Sequence, residues 1–226
     1  TEIYTLSLHD ALPIFLFLGT GAADWQGPDP ASGDFRRRCA TLLDGRILLD
    51  CGPDVGGALA AFQADAASIS DVLLTHSHGD HFSLDTLRFL ASTRRAAPRL
   101  RLWAHPAALR QATVLGEAVD PHPIQPDDGF ALDGLEVTAL AANHQTDEPT
   151  ETALHYFLTT ADGRTLLYAL DGAWLLKPAW VFLRRRRIDT VVWDCTIGGT
   201  GGDRRGFVHN RLEDRKRTRL TSSQGK

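Results

Sequence analysis

Four residues within six positions of this chain have the chemistry of metal ligands. His76, His78, Asp80 and His81 lie in the stretch Thr75-His76-Ser77-His78-Gly79-Asp80-His81. Imidazole nitrogens and carboxylate oxygens suit zinc, manganese or iron. The chain has nine histidines in all, so their packing into one segment points to a metal site. His76 and His78 are two apart, so in extended chain they point the same way and can share one ion. Asp80 and His81 are adjacent and diverge, which favours a second ion. Two ions need further donors. His144 can complete the first, Asp171 has two oxygens with which to bridge both, and His209 is the last histidine available to the second.

The elements that must position these residues show a recurring pattern. Apolar runs of strand length end in a polar group: Ile47-Leu48-Leu49 in Asp50, Val72-Leu73-Leu74 ahead of His76, Leu135 to Ala142 ahead of His144, Leu166 to Leu170 in Asp171, and Val191-Val192-Trp193 in Asp194. Such runs read as buried strands. If their C-terminal ends share one edge, the polar groups converge on one site. Ile14 to Leu18 reads as a first strand. Helices are expected over Val55–Ala67, over Ser83–Arg95 with Ser83 as N-cap, over Pro106–Leu115, and over Trp174–Arg186 with an interruption at Pro178. Residues 130–142 and 155–170 read as strands with turns at Asp133-Gly134 and Asp162-Gly163. This order predicts an α/β fold, two sheets packed face to face with helices outside.

The chain of 226 residues can form one domain with a sizeable core, and its 43% hydrophobic and 23% charged content is ordinary for a soluble protein. A net charge of -4 argues against a general nucleic-acid surface. Cys39, Cys51 and Cys195 form no CxxC pair, which argues against a disulfide framework and favours a cytoplasmic setting. No apolar run reaches the ~20 residues that span a bilayer. The expected partner is a small-molecule substrate, with no membrane and no nucleic acid; a homodimer is left open.

Both ends look foreign. Residues 1–13 and 214–226 resemble translated sequencing-adapter DNA, and no methionine occurs anywhere. They are set aside as non-native, which leaves 14–213 as the domain, with a C-terminal helix lost.

His76-Ser77-His78-Gly79-Asp80-His81 resembles the HxHxDH signature of the metallo-β-lactamase superfamily. The later His144, Asp171 and His209, the opening Leu18-Gly19-Thr20-Gly21 and the Leu49-Asp50-Cys51-Gly52 segment follow the same order. The resemblance implies a four-layer αβ/βα sandwich, here C-terminally truncated, and two divalent ions, Zn or Mn. By position it places His76, His78 and His144 on metal one and Asp80, His81 and His209 on metal two, with Asp171 bridging. Asp80 and Asp171 would carry the catalytic role. Asp50, and with it Asp194, would orient ligands from behind. A metal pair about 3.5–4 Å apart would hold a bridging hydroxide for hydrolysis.

Asp171 at the bridging position looks unlike the zinc β-lactamases and like phosphodiesterases and glyoxalase-type thioesterases. Twenty-six residues separate His144 from Asp171, too few for the arm of the tRNA 3′-end endonucleases. Phe35-Arg36-Arg37-Arg38-Cys39-Ala40 resembles a segment of the phosphoribosyl cyclic phosphodiesterases, which makes Arg37 and Arg38 the candidate phosphate contacts. A phosphodiesterase acting on a small, cyclic phosphate ester is the expected activity. A thioesterase or lactonase on the same fold, and an inactive fragment, are the alternatives. His105, His122 and His155 read as structural or loop residues, Cys195 as a buried thiol, and Arg184 to Arg187 as a solvated helix end.

Overall fold

The structure, a computed structural model, describes residues 14–23, 35–94, 98–197, 206, 209 and 210. The two ends expected to be foreign lie outside those residues. Among the described residues, strands β1 (Phe15–Gly19), β2 (Ala40–Leu43), β3 (Ile47–Leu49), β4 (Asp71–Leu73), β5 (Leu100–Ala104) and β6 (Val119–Pro123) form one sheet in that order. Strands β7 (Gly129–Leu132), β8 (Leu135–Ala141), β9 (Leu154–Thr159), β10 (Thr165–Ala169) and β11 (Thr190–Trp193) form the second, ordered β11-β10-β9-β8-β7. Helices α1 (Val55–Ala61), α2 (Leu84–Thr93), α3 (Pro106–Ala112) and α4 (Lys177–Leu183) complete the α/β architecture.

Alternating side chains on each strand explain the layers. Leu43, Ile47, Leu49 and Leu73 from the first sheet pack against Val137, Leu154, Tyr156, Leu158 and Tyr168 from the second. On the outer face of the first sheet, Leu48, Val72 and Leu102 pack with Leu59 of α1, Leu87 and Leu90 of α2 and Ala108 of α3. On the outer face of the second, Leu140, Phe157 and Leu167 pack under Ala179 and Leu183 of α4. The result is the expected four-layer sandwich. Two polar ties cross the middle: the Tyr156 hydroxyl donates to the Leu74 carbonyl at 2.5 Å, and the Leu154 amide to the Thr75 carbonyl at 2.8 Å. Both end beside the histidine segment.

Several boundaries differ from the sequence expectation. Helix α1 stops at Ala61 instead of Ala67, because Gln63 turns to φ 54° and the amides of Gln63 and Ala64 fold back on the Ala60 and Leu59 carbonyls. Helix α2 has Ser83 as its N-cap, accepting from the Thr86 amide, but Phe89 is exposed while Leu87 and Leu90 are buried. Helix α3 gives way to a 3-10 turn over Thr113–Ala118, broken at Gly116. Pro178 does not interrupt α4. It lies in the first turn, where its missing N–H costs no hydrogen bond. His122 belongs to β6, an edge strand that tolerates its flanking prolines, and its ring stacks on Trp103. The turn at Asp133-Gly134 forms as expected, with φ of 49° and 84° suiting a two-residue hairpin. No helix among the described residues is long and apolar enough to cross a membrane.

Candidate metal centre

Strands β3 and β4 run parallel, as do β10 and β11, so Asp50, the His76–His81 segment, Asp171 and Asp194 leave their strands at one edge. His144 follows β8 to the same place. Asp50 and Asp171 both adopt positive φ, 63° and 45°. That conformation disfavours non-glycine residues by about 1–2 kcal/mol, and such strain gathers at functional sites.

His76 Nε2 lies 2.9 Å from His78 Nδ1, and His144 Nε2 lies 3.1 Å from the same atom. Asp171 Oδ2 is 3.6 Å from both His76 Nε2 and His144 Nε2. Donors 2.0–2.1 Å from a tetrahedral ion sit about 3.3 Å apart, so these four atoms are spaced for one ion. On the other side, His81 Nε2 is 3.3 Å from Asp80 Oδ2 and 3.3 Å from Asp171 Oδ2. One carboxylate oxygen thus faces two groups of donors, His76, His78 and His144 on one hand and Asp80 and His81 on the other.

Hydrogen bonds behind the rings settle which nitrogens face the centre. The Thr75 hydroxyl donates to Asp50 Oδ1 at 2.8 Å, which spends its proton; at 3.0 Å from His76 Nδ1 it can then only accept. His76 therefore carries its proton on Nδ1 and turns the Nε2 lone pair inward. His81 Nδ1 donates to Asp50 Oδ2 at 2.9 Å, which leaves its Nε2 for the centre. Asp50, fully buried, sets both rings. The imidazole nitrogens and carboxylate oxygens that crowd together are all donors a divalent cation accepts. Gly52 closes the arrangement from below: a Cβ there would collide with the Asp80 carbonyl, while the Cys51 amide bonds the His81 carbonyl at 2.6 Å.

Without an ion the charges bias each other strongly. Burial, reinforced by the neighbouring His81, holds His76 well below the ordinary imidazole pKa. Burial opposes a charge on His81 too, but Asp171 and Asp50 outweigh it and push that pKa well up. Burial likewise opposes a charge on Asp171, yet His81 and the other rings hold its carboxyl well below the usual range. A protonated His81 against an ionised Asp171 is the charge pair that a divalent ion would replace.

The structure draws together His76, His78, Asp80, His81, His144 and Asp171. It places His209 differently from the sequence expectation. His209 Nδ1 lies 2.9 Å from Asp194 Oδ2, and the third group of donors is Asp171, Asp194 and His209, separate from Asp80 and His81. The His209 ring sits 5.1 Å from that of His144. Asp194 also accepts from the amides of Gly172, Thr196 and Asn210. Among the arginines, Arg38 pairs with Asp54 at 3.0 Å and lines an opening with His78, Gly79, Asp80 and Asp147. Arg37 turns away, its guanidinium over the rings of Phe35 and Phe62. Arg36 instead lines a cavity of about 470 Å³ whose wall includes Asp171, Asp194 and the half-buried Cys195. Consecutive arginines in extended chain alternate sides, a signal that separates Arg36 and Arg38 from Arg37. His105 caps α3 by accepting from the Ala107 amide, and His155 bonds the Leu170 carbonyl at 3.0 Å.

A family model described as the beta-lactamase superfamily domain matches residues 45–200. The chain belongs to this family. Solved structures of the metallo-β-lactamase fold agree on the architecture. A diphosphatase from the PhnP family superposes with a TM-score of 0.68 at 21% identity, covering 89% of this chain and 78% of that one. The metallo-beta-lactamase fold protein YhfI from Bacillus subtilis gives 0.62 at 17% identity, over 87% and 76%. The short form of human tRNase Z gives 0.62 at 20% identity, over 80% and 77%. No curated protein sequence matches the chain. Within the superfamily fold, the donors described above occupy the edge where both sheets end, and hydrolysis is the chemistry the family brings to that edge.

Proposed function

We propose that the chain is a dinuclear metal-dependent phosphodiesterase acting on a small phosphate ester, including cyclic esters. The observation that carries the reading is Asp171 Oδ2, within 3.6 Å of His76 and His144 and 3.3 Å of His81. Such a shared oxygen suits a bridge between two sites. His76, His78 and His144 would hold one ion, Asp80 and His81 the other. The ions, zinc or manganese, would supply Lewis acidity toward water and toward a phosphoryl oxygen.

The chain's own residues then have definite tasks. Asp50 keeps the lone pairs of His76 and His81 inward. Asp171 fixes the distance between the two groups of ligands. Asp194 accepts the Nδ1 proton of His209, which leaves Nε2 as the ring nitrogen that would exchange a proton with the departing oxygen. Arg36 and Arg38 line the two openings beside the centre and would meet the phosphate, with Arg36 replacing the Arg37 expected from sequence. The PhnP-family diphosphatase among the structural neighbours supports a phosphorus-directed chemistry.

The test is turnover of bis-(p-nitrophenyl) phosphate and of a cyclic phosphodiester by the chain loaded with zinc or manganese, beside a thioester and a lactone. Phosphodiester hydrolysis that is lost in His76→Ala supports the reading. Preference for the thioester or lactone, or turnover equal in His76→Ala, contradicts it.

A further inference from the structure

We propose that Glu151 is a positioning residue that latches the loop bearing His144 to the loop bearing His76 and His78, acting through Ser77. The inference rests on the metal-site reading above and assigns a task to two residues outside the ligand set. Ser77 stands between two ligands. In an extended segment its side chain points opposite to theirs, and it donates to Glu151 Oε2 at 2.5 Å. Glu151 belongs to the loop that joins His144 to β9.

The latch is anchored on a third element. Gln111 of α3 donates to the Ser77 hydroxyl at 3.1 Å, and Arg110 of α3 donates to Thr150 at 2.7 Å. Glu148 then turns the loop, its carbonyl accepting from the Glu151 amide at 2.9 Å. The Leu154 amide closes the loop's far end on the Thr75 carbonyl. The two ligand-bearing segments are thus tied to each other at Thr75 and at Ser77.

The geometry explains why the centre needs this. His78 meets both neighbours through Nδ1, the ring nitrogen nearer its own backbone. A ligand atom on so short a lever follows the backbone, so a shift of Ser77 relative to the His144 loop would open the 3.1 Å spacing between His78 and His144. Glu151 Oε1 is buried with no hydrogen-bond partner among the described residues. Holding a carboxylate oxygen that way is costly, and the cost is accepted for the sake of the other oxygen's bond.

The experiment titrates zinc alone, against a competing chelator, into the full chain in an Asp80→Ala background, which leaves the His76, His78 and His144 group as the site measured. Glu151→Ala and Ser77→Ala are expected to lower zinc affinity about 10–100-fold, the range for a group that orients a ligand. The double variant should bind no more weakly than Glu151→Ala, and Glu151→Gln, which can still accept from Ser77, should recover most of the loss. The cobalt(II) absorption bands should shift in the alanine variants and return in Glu151→Gln. Ser77→Ala removes one hydroxyl, so it reads the latch even if Glu151→Ala fails to fold. Unchanged affinity in Ser77→Ala, losses that multiply in the double variant, or a Glu151→Gln as weak as Glu151→Ala would overturn the latch. An Asp80→Ala parent that takes up no zinc would overturn the metal-site reading itself.

Discussion

The two halves of the centre are built to different standards. On the first sheet, Asp50 takes hydrogen bonds from Thr75 and His81 and through Thr75 governs His76, so the Nδ1 atoms of His76 and His81 are both partnered. On the second sheet, Asn143 Nδ2, His155 Nδ1, Trp193 Nε1 and Asn210 Oδ1 are buried without partners among the described residues, each adjacent in sequence or space to His144, Asp171, Asp194 or His209. A buried polar atom left alone costs roughly 1–3 kcal/mol. The first half is therefore held rigid through Asp50, while the second carries the cost of these unpartnered atoms; the positive φ is common to both, at Asp50 and at Asp171. Preorganised donors favour affinity; the opposing half is where binding can draw on relief of the cost of unpartnered atoms.

The comparison is broken most severely at the oxygen both halves share. Asp171→Ala should abolish coupled binding at the two groups and lower phosphodiester turnover by at least about 10²–10³-fold, the scale of losing one electrostatic stabiliser. Steady-state kinetics with metal content measured in parallel checks this. A drop in turnover with full metal content would place Asp171 outside the ligand set.

On the rigid half, Asp50→Ala should cost about 3 kcal/mol or more in chemical denaturation of the metal-free chain, since several buried donors lose one acceptor. It should also weaken zinc binding about 10–100-fold. On the second half, burial pushes the His155 imidazole down to about 4. Its unfolded value is near 6.5, so between those pH values the unfolded chain binds the extra proton. His155 therefore contributes stability that is complete above pH ~6.5 and is lost as pH falls, up to about 3 kcal/mol by pH ~4. Denaturation of the metal-free chain at a series of pH values, against His155→Gln, reads that slope; equal slopes would contradict the burial argument. A smaller effect is expected at Gly172. An added Cβ would stand 3.1 Å from the His155 ring, so Gly172→Ala should cost about 1–3 kcal/mol by overpacking, with the His76 side unaffected.

The same contrast describes what the sequence made legible. The His76–His81 segment is contiguous, so its ligands and its Asp50 support could be read from types and spacing alone. Strand ends at Asp171 and Asp194 were equally clear, because a lone carboxylate closing an apolar run adds nothing to the core and marks where the strand leaves it. The neighbours of His209 are not legible in the sequence, because they depend on tertiary approach: Asp194 Oδ2 lies 2.9 Å from its Nδ1. Which of Arg36, Arg37 and Arg38 faces the centre is not legible either, because a run of like residues hides which side each faces. Gln63 at positive φ and Pro178 in a first turn moved two helix boundaries for local reasons that composition does not reveal. Ser77 and Glu151 lie far apart in sequence, and nothing in either segment announces their bond.

The most direct test of the shared-oxygen centre is the number of divalent ions held per chain, measured by elemental analysis after equilibration with zinc and removal of excess. The unaltered chain should hold about two, Asp80→Ala about one, and Asp171→Ala fewer than either, as expected for a bridged pair. An unaltered chain that holds none, or an Asp171→Ala chain that holds as much as the parent, would contradict it.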